Sequence, residues 1–376
     1  MGSKLHTILD QNFGEYSKKY GTPWPVRKVI NRVLKCRTEA LGGFRWVCKC
    51  GYEKTVYRSC RSRSCPQCGE VELKKFIDKK MEKVFPGDHF HMIFTIPREL
   101  NKFWLFNTRK MGNILFDTAK KTILKFCDDE KYLGAKPGIM MALHTWGQNL
   151  SLHPHIHALV TAGGINKKGK LRFCKKNFLF PVKPAMIYFR YHFLMEVKKV
   201  FKDDDDSNEI KKNVDKCFKT NWNIFIKEKY SGGGGVLIYL SRYIRGLPIK
   251  DSRIKYFDQN RVTFTYKDYR DNKRKNMTLS MKDFMQKLLL HIPPANFRTF
   301  REVGLYHSDK IIQMKDLTGY KVPLGTKVIQ LFPPENEFKS VVFNREICPR
   351  CQKEFDYMYE FKPNRYNTRA SPGKAA

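Results

Sequence analysis

The chain has 376 residues, 41% of them hydrophobic and 29% charged, which is enough for two or three domains that each bury a core. Its 72 Lys and Arg against 36 Asp and Glu leave a net charge of +36, far more than solubility requires, and a field of that sign attracts polyanions. No apolar run approaches the roughly 20 residues of a membrane span, and the first residues lack a signal peptide's apolar stretch.

A cytoplasmic, nucleoid-associated location is therefore expected, with nucleic acid as the partner and no membrane association. An anionic membrane is the rival partner for such a charge, and nucleic acid is the one expected. In a reducing compartment, eleven cysteines are expected as metal ligands rather than disulfides.

In chain order, residues 18–35 read as a basic helix, with Pro25 near its start and Val29, Ile30, Val33 and Leu34 as its apolar stripe. Six of the eleven cysteines then fall between Cys36 and Cys68, in short turn-rich pieces. Zinc takes four thiolate or imidazole ligands in a tetrahedron, and two cysteines on one tight turn deliver two of them. Cys65-Pro66-Gln67-Cys68 fits that rule, whereas Cys48-Lys49-Cys50 is one residue shorter. One structural zinc site is expected from Cys48, Cys50, Cys65 and Cys68. Cys36 and Cys60 are left to join a second site or to exchange with Cys50. The distant pair Cys348-Pro349-Arg350-Cys351 is a further knuckle able to complete that second site. Cys127, Cys174 and Cys217 are isolated and read as small core or surface residues. Arg61 and Arg63, with Arg45, Lys49, Lys54 and Arg58, suit phosphate contacts. Trp46, Tyr52 and Tyr57 suit either base stacking or a core.

Residues 70–84 read as a charged helix, and the first domain boundary is placed near Pro86-Gly87. A strand over 89–96, closed by Pro97, precedes a helix over 101–127. Two more strands follow at 138–148 and 154–161. Ala162-Gly163-Gly164 is expected to turn, with 171–179 returning as a hairpin partner. Then come a helix at 183–201, an acidic loop at 203–206 and a strand at 222–226. The glycines after Ser231 break the chain before a helix at 236–245. Strands at 261–266 and 276–279, a helix at 281–291 and an extended stretch at 297–306 complete the reading. The polar tail from Phe361 is expected to fray.

Two of these segments carry chemistry. In His153-Pro154-His155-Ile156-His157 side chains alternate, so all three histidines share one face of a strand. His155 and His157 are expected to hold a divalent metal. Gln148, His153 and His144 rank as near equals for the third ligand. Tyr239 and Tyr243 lie four apart, hence on one helix face, with Arg242 and Arg245 beside them to hold a phosphate. A metal held by those histidines would polarise a non-bridging phosphate oxygen while a tyrosine oxygen attacks phosphorus and the 3′ oxygen leaves, so that the 5′ end of the cut strand stays on the protein. Imidazole tilts the choice between Mg2+ and Mn2+ toward Mn2+. Single-stranded DNA is the natural substrate of so narrow a site.

The stretches from Cys36 to Gly43 and from Ser59 to Cys68 resemble the zinc-binding start of the insertion sequence 91 type transposases. His91-Met92-Ile93-Phe94-Thr95-Ile96-Pro97 is similar to their first catalytic strand. Leu143 to Leu152, followed by the histidine run, is similar to their HUH motif. Val236 to Tyr243 resembles their two-tyrosine helix, and Phe297 to His307 a later block. Phe44 and Ser64 stand where family members often carry histidine.

The resemblance implies an α+β protein with an HUH endonuclease core, an antiparallel sheet with packed helices of the ferredoxin or RRM kind. A small zinc-ribbon-like domain precedes that core and an α/β C-terminal region follows it. The domains are expected at 1–86, 87–270 and 271–376. The resemblance also implies rolling-circle transposition, with single-stranded DNA at the element ends and target as partner, Tyr239 and Tyr243 as nucleophiles, and His155 and His157 as metal ligands. A replication initiator or relaxase would use the same chemistry, but the chain lacks a Gly-x-x-x-x-Gly-Lys loop. A non-catalytic zinc-dependent binder is the third reading.

Overall fold

The computed structural model describes residues 3–175, 177–204, 207–230, 232, 246–268, 270–307, 310–319 and 347–362. Tyr239, Arg242, Tyr243 and Arg245, with the helix expected over 236–245, lie outside the described residues. The chain is α+β, and every strand pairing among the described residues is antiparallel. It divides into two compact units, Met1–Glu72 with Gly325–Ala376, and Leu73–Leu324. Among the described residues no helix is long and apolar enough to cross a membrane.

In the first unit, α1 (Lys4–Tyr20) starts at Ser3, whose hydroxyl accepts the His6 N–H at 3.2 Å. It buries Leu5, Ile8, Leu9 and Phe13 along one face. Helix α2 is Trp24–Leu34. The single helix expected over 18–35 is thus the end of one helix and the whole of another. Gly21, at φ 72°, turns the chain out of α1, and Pro25 can sit only in a first turn. Strands β1 (Gly43–Val47) and β2 (Glu53–Tyr57) form a hairpin. The far strand Tyr357–Phe361 pairs with the other edge of β1, Gly43 opposite Phe361 and Val47 opposite Tyr357. Of the stretch 271–376, the part up to Leu324 groups with the second unit, and the part from Gly325 groups with the first, where Tyr357–Phe361 completes the sheet.

Helix α3 is Gly69–Met81, and the division into compact units falls within it, between Glu72 and Leu73. The second unit continues with β3 (His89–Thr95), α4 (Asn101–Phe106) and α5 (Thr108–Asp128). The helix expected over 101–127 is broken at Asn107, where φ is −129°. Next come β4 (Lys136–Trp146), β5 (Leu152–Ile165), β6 (Leu171–Phe173), α6 (Val182–Val200), α7 (Ser207–Lys219) and β7 (Ile224–Tyr230). Strand β5 runs straight through the turn expected at Ala162-Gly163-Gly164. Those glycines serve close approach: a Cβ on Gly163 would lie 2.6 Å from the Phe173 ring, and one on Gly164 2.4 Å from the Lys136 carbonyl oxygen. The hairpin partner expected over 171–179 is only the three residues of β6.

Strands β8 (Ile254–Phe257), β9 (Arg261–Lys267) and β10 (Arg274–Ser280) form a small sheet of their own, followed by α8 (Met281–Leu289). Strand β11 (Phe300–Gly304) then returns to the main sheet, and α9 is Lys310–Leu317. The main sheet has the order β11-β4-β5-β3-β7, with β6 on the end of β5.

Alternation along the central strands sets up two faces. Phe90, Met92 and Phe94 of β3, Ile139, Met141 and Leu143 of β4, and Ile156, Ala158 and Val160 of β5 join one core with α5 and α6. Each large side chain buried there contributes about 1.5–3 kcal/mol. On the opposite face, Met140, Ala142 and Leu159 pack with Leu73 and Ile77 of α3 and with Ile311 and Met314 of α9. That second core covers one end of the face. The other end carries histidines.

Candidate active site

Strands β4 and β5 set His144 directly opposite His155 and Ala142 opposite His157, while β3 sets Ile93 opposite His157. Three ring nitrogens, from His144, His155 and His157, lie within 4.8 Å of one another, and all three residues are buried. His144 Nδ1 is 3.2 Å from His155 Nε2, which is 3.1 Å from His157 Nε2.

Hydrogen bonding fixes which atoms face inward. His155 Nδ1–H donates to the His153 carbonyl oxygen at 2.6 Å, so its Nε2 carries a lone pair. His157 Nδ1 lies 2.9 Å from His91 Nε2 on β3. With the proton on His157 Nδ1 and His91 accepting it, His157 Nε2 is also a bare lone pair. Burial pushes all of these rings toward the neutral form. His91 and His155 drop to about 4, and His157 to about 2, with neighbouring rings and Lys227 adding to the burial. His144 is also pushed well down, first by burial and then by His155. Neutral imidazoles with converging lone pairs fit a divalent cation, and without a cation they would repel one another.

The turn beside this cluster is tied down. Arg253 donates from Nε to the Thr265 carbonyl at 2.8 Å and from a terminal nitrogen to the Gln148 carbonyl. His291 meets Thr145 Oγ1 at 3.1 Å and the Leu150 carbonyl at 3.3 Å. Of the candidates for a third ligand, His144 joins the cluster. His153 is exposed, its ring 4.9 Å from that of His155, and it stays outside. Gln148 is half-buried on the turn after β4, and three nitrogens converge without it. The sequence reading missed His91 and Lys227. The signal for His91 was present in His89-Phe90-His91-Met92, where alternation puts it opposite the core-facing Phe90 and Met92.

The first unit holds two further clusters, each of four thiols within 4.8 Å of one another: Cys36, Cys60, Cys65 and Cys68, and Cys48, Cys50, Cys348 and Cys351. The expected site of Cys48, Cys50, Cys65 and Cys68 is therefore corrected, since its members fall into different clusters. Cys36 ends the turn after α2, and Cys68 sits just before α3, which brings their sulfurs to 3.3 Å. The backbone N–H groups of Cys60 and Ser62 point at Cys36 Sγ and Cys60 Sγ, each at 3.4 Å. Hydrogen bonds from Cys36, Cys60 and Cys65 hold the Cys68 thiol far below its usual range. Arg61, at φ 52° beside this cluster, is exposed, while Arg63 is half-buried. Of the aromatics considered for stacking, Trp46 and Tyr52 both pack on Phe355, at 5.9 and 6.1 Å between centroids, and Tyr57 meets Phe361 edge-on.

A family model described as a transposase zinc-binding domain matches residues 8–96, and one described as "Putative transposase" matches residues 138–312. The first stretch contains the Cys36 cluster and His91, the second His144, His155 and His157. The chain is 32% identical over 315 residues to "Putative transposase y4qJ" of Sinorhizobium fredii (strain NBRC 101917 / NGR234), covering 79% of each chain. It is 27% identical over 298 residues to the transposase for insertion sequence element IS801 of Pseudomonas savastanoi pv. phaseolicola, covering 74% of this chain and 69% of that one. No solved structure matches.

Proposed function

The chain belongs to the insertion sequence 91 type transposases with an N-terminal zinc-binding domain, and we propose that it cuts single-stranded DNA at the ends of its element through a 5′-phosphotyrosine link. The observation that carries this reading is the convergence of His144 Nδ1, His155 Nε2 and His157 Nε2 within 4.8 Å on one face of a rigid sheet. Such a set would hold a divalent cation, with Mn2+ favoured over Mg2+ by the imidazoles. A cation bound there supplies Lewis-acid polarisation of a non-bridging phosphate oxygen.

The chain's own residues would do the rest. Tyr239 or Tyr243 presents a phenol oxygen that attacks phosphorus in line, the bond to the 3′ oxygen breaks, and the phosphate stays on tyrosine. The phenol loses a proton and the 3′ oxygen gains one, so the exchange conserves the phosphodiester and can be reversed by another 3′ hydroxyl. Two tyrosines permit two such links in alternation, as rolling-circle transfer requires. Strand β7 ends at Tyr230, whose ring is 6.3 Å from His91, and Tyr239 follows nine residues later. At roughly 3.5 Å per extended residue, that span is long enough to return a tyrosine to the histidines. Lys227, close enough to depress His91 and His157, adds positive potential where a phosphate would enter, and Arg242 and Arg245 are assigned to grip it. The zinc-bearing first unit presents Arg61 to the DNA backbone.

The test mixes the full chain with Mn2+ and single strands of element-end sequence labelled at either terminus. A covalent protein–DNA band should carry only the strand 3′ of the cut, and it should vanish when Tyr239 and Tyr243 are both Phe. Binding of every end sequence with no adduct would sink the cleavage reading and leave a non-catalytic DNA-binding protein.

A further inference from the structure

We propose that Cys48, Cys50, Cys348 and Cys351 bind a second zinc ion, which fastens the C-terminal stretch 347–362 to the N-terminal hairpin. The zinc-binding family match stops at residue 96 and the other at residue 312, so Cys348 and Cys351 lie outside both. The inference does not rest on the cleavage reading.

Sulfur spacing identifies the ligand. Cys48 Sγ is 3.4 Å from Cys351 Sγ, and Cys50 Sγ is 3.6 Å from Cys348 Sγ. A disulfide needs about 2.05 Å. Four sulfurs at about 2.3 Å from a tetrahedral zinc stand about 3.8 Å apart, close to what is found here. The cluster of Cys36, Cys60, Cys65 and Cys68 has the same spacing, with Cys36 Sγ to Cys68 Sγ at 3.3 Å and Cys60 Sγ to Cys68 Sγ at 3.7 Å.

The two knuckles have related construction. In the first, the Gly51 N–H donates to the Cys48 carbonyl at 2.9 Å and Gly51 takes φ 85°. In the second, the Gln352 N–H donates to the Cys348 carbonyl at 2.9 Å and Gln352 takes φ 58°. Strand pairing brings the knuckles together, because β1 ends at Val47, opposite Tyr357, one residue before Cys48. The Asp356 N–H donates to the Val47 carbonyl at 3.1 Å, and the Lys49 N–H donates to Asp356 Oδ2 at 2.6 Å. Four thiolates around one Zn2+ leave a double negative charge. Arg350, which donates to the Cys50 carbonyl at 3.2 Å, and Lys49 lie beside it. Cys48 and Cys348 are buried and the other two half-buried, so four ligands close the site and suit a structural ion rather than a catalytic one.

The experiment counts metal on the full-length protein. Cobalt titration of the apoprotein is expected to saturate the thiolate-to-cobalt charge-transfer band at two equivalents, and the zinc-loaded protein should hold two thiol-releasable ions. The Cys348→Ser/Cys351→Ser variant should lose one of the two, and limited proteolysis should then release the C-terminal peptide that the parent protects. Saturation of the thiolate band at a single equivalent in the parent chain would overturn the proposal, and that readout needs no variant to fold. So would a double variant that keeps both ions. Neither result bears on whether the protein forms a DNA adduct.

Discussion

His91 Nε2 on β3 stands 2.9 Å from His157 Nδ1 on β5, and the two rings lie nearly parallel, 11° apart. The pair is diagonal across the strands, since Ile93 is the residue directly opposite His157. If His157 holds a cation through Nε2, its Nδ1 carries the proton, and His91 would be the acceptor that fixes its tautomer and ring plane.

Replacing His91 with Phe keeps a ring in the site but removes the acceptor. Affinity for Mn2+ should fall about 10–100-fold, with the denaturation midpoint little changed. His91→Gln, which restores an acceptor, should recover part of the loss. Calorimetric titration with Mn2+ checks both. Unchanged affinity in His91→Phe would show that His157 is oriented by something else.

The choice of third ligand is tested by a pair of alanine variants. His144→Ala should abolish Mn2+ binding nearly as completely as His155→Ala or His157→Ala, whereas His153→Ala should bind like the parent. The reverse ranking would move the third ligand out to the exposed His153.

Acid should weaken the second unit through His89. That ring donates from Nδ1 to the Gly87 carbonyl at 2.8 Å and meets Tyr306 Oη at 2.8 Å, and burial lowers its pKa to about 4. A folded pKa below the unfolded value of about 6.5 means that the unfolded chain binds the proton first. Stability from this group is complete above pH 6.5 and is lost as pH falls toward 4, by about 3 kcal/mol at most. Urea denaturation of His89→Gln against the parent at pH 7 and pH 4.5 should show a shallower loss in the variant. Parallel losses would exclude His89 as the source.

On the opposite face, Phe94 of β3 meets Phe189 of α6 edge-on at 5.0 Å between centroids, and both are fully buried. Phe94→Ala should cost about 3–5 kcal/mol of stability, read as a fall in the denaturation midpoint. A loss under 1 kcal/mol would mean that the core beneath the histidine strand is loosely packed.

The histidine face and one cysteine knuckle were legible because their signals are local. Three histidines at alternate positions declare a strand face, and Cys65-Pro66-Gln67-Cys68 declares a knuckle. What the sequence left open depends on register. His144 and His153 are equivalent candidates on paper, and only the pairing of β4 with β5 brings a ring nitrogen of His144 in among those of His155 and His157. Cysteine partnership failed for the same reason: nothing near Cys48 announces that Tyr357–Phe361 will lie alongside β1. Helix α1 is a different kind of miss. Its spacing of Leu5, Ile8, Leu9 and Phe13 and its cap at Ser3 were readable, but the polar residues between them diluted the stripe. The glycines at 163 and 164 were read as a turn because crowding by Phe173 and Lys136 is invisible before the fold is known.

Because Tyr357–Phe361 is the outer neighbour of β1, the first sheet to be translated is among the last to close. About 310 residues leave the ribosome between the two strands, some 15–60 s at 5–20 residues per second. For that interval β1 has an open edge, and half of one thiol quartet waits for its counterpart. A chain cut short before Cys348 would leave that edge open and Cys48 and Cys50 without the other half of their cluster.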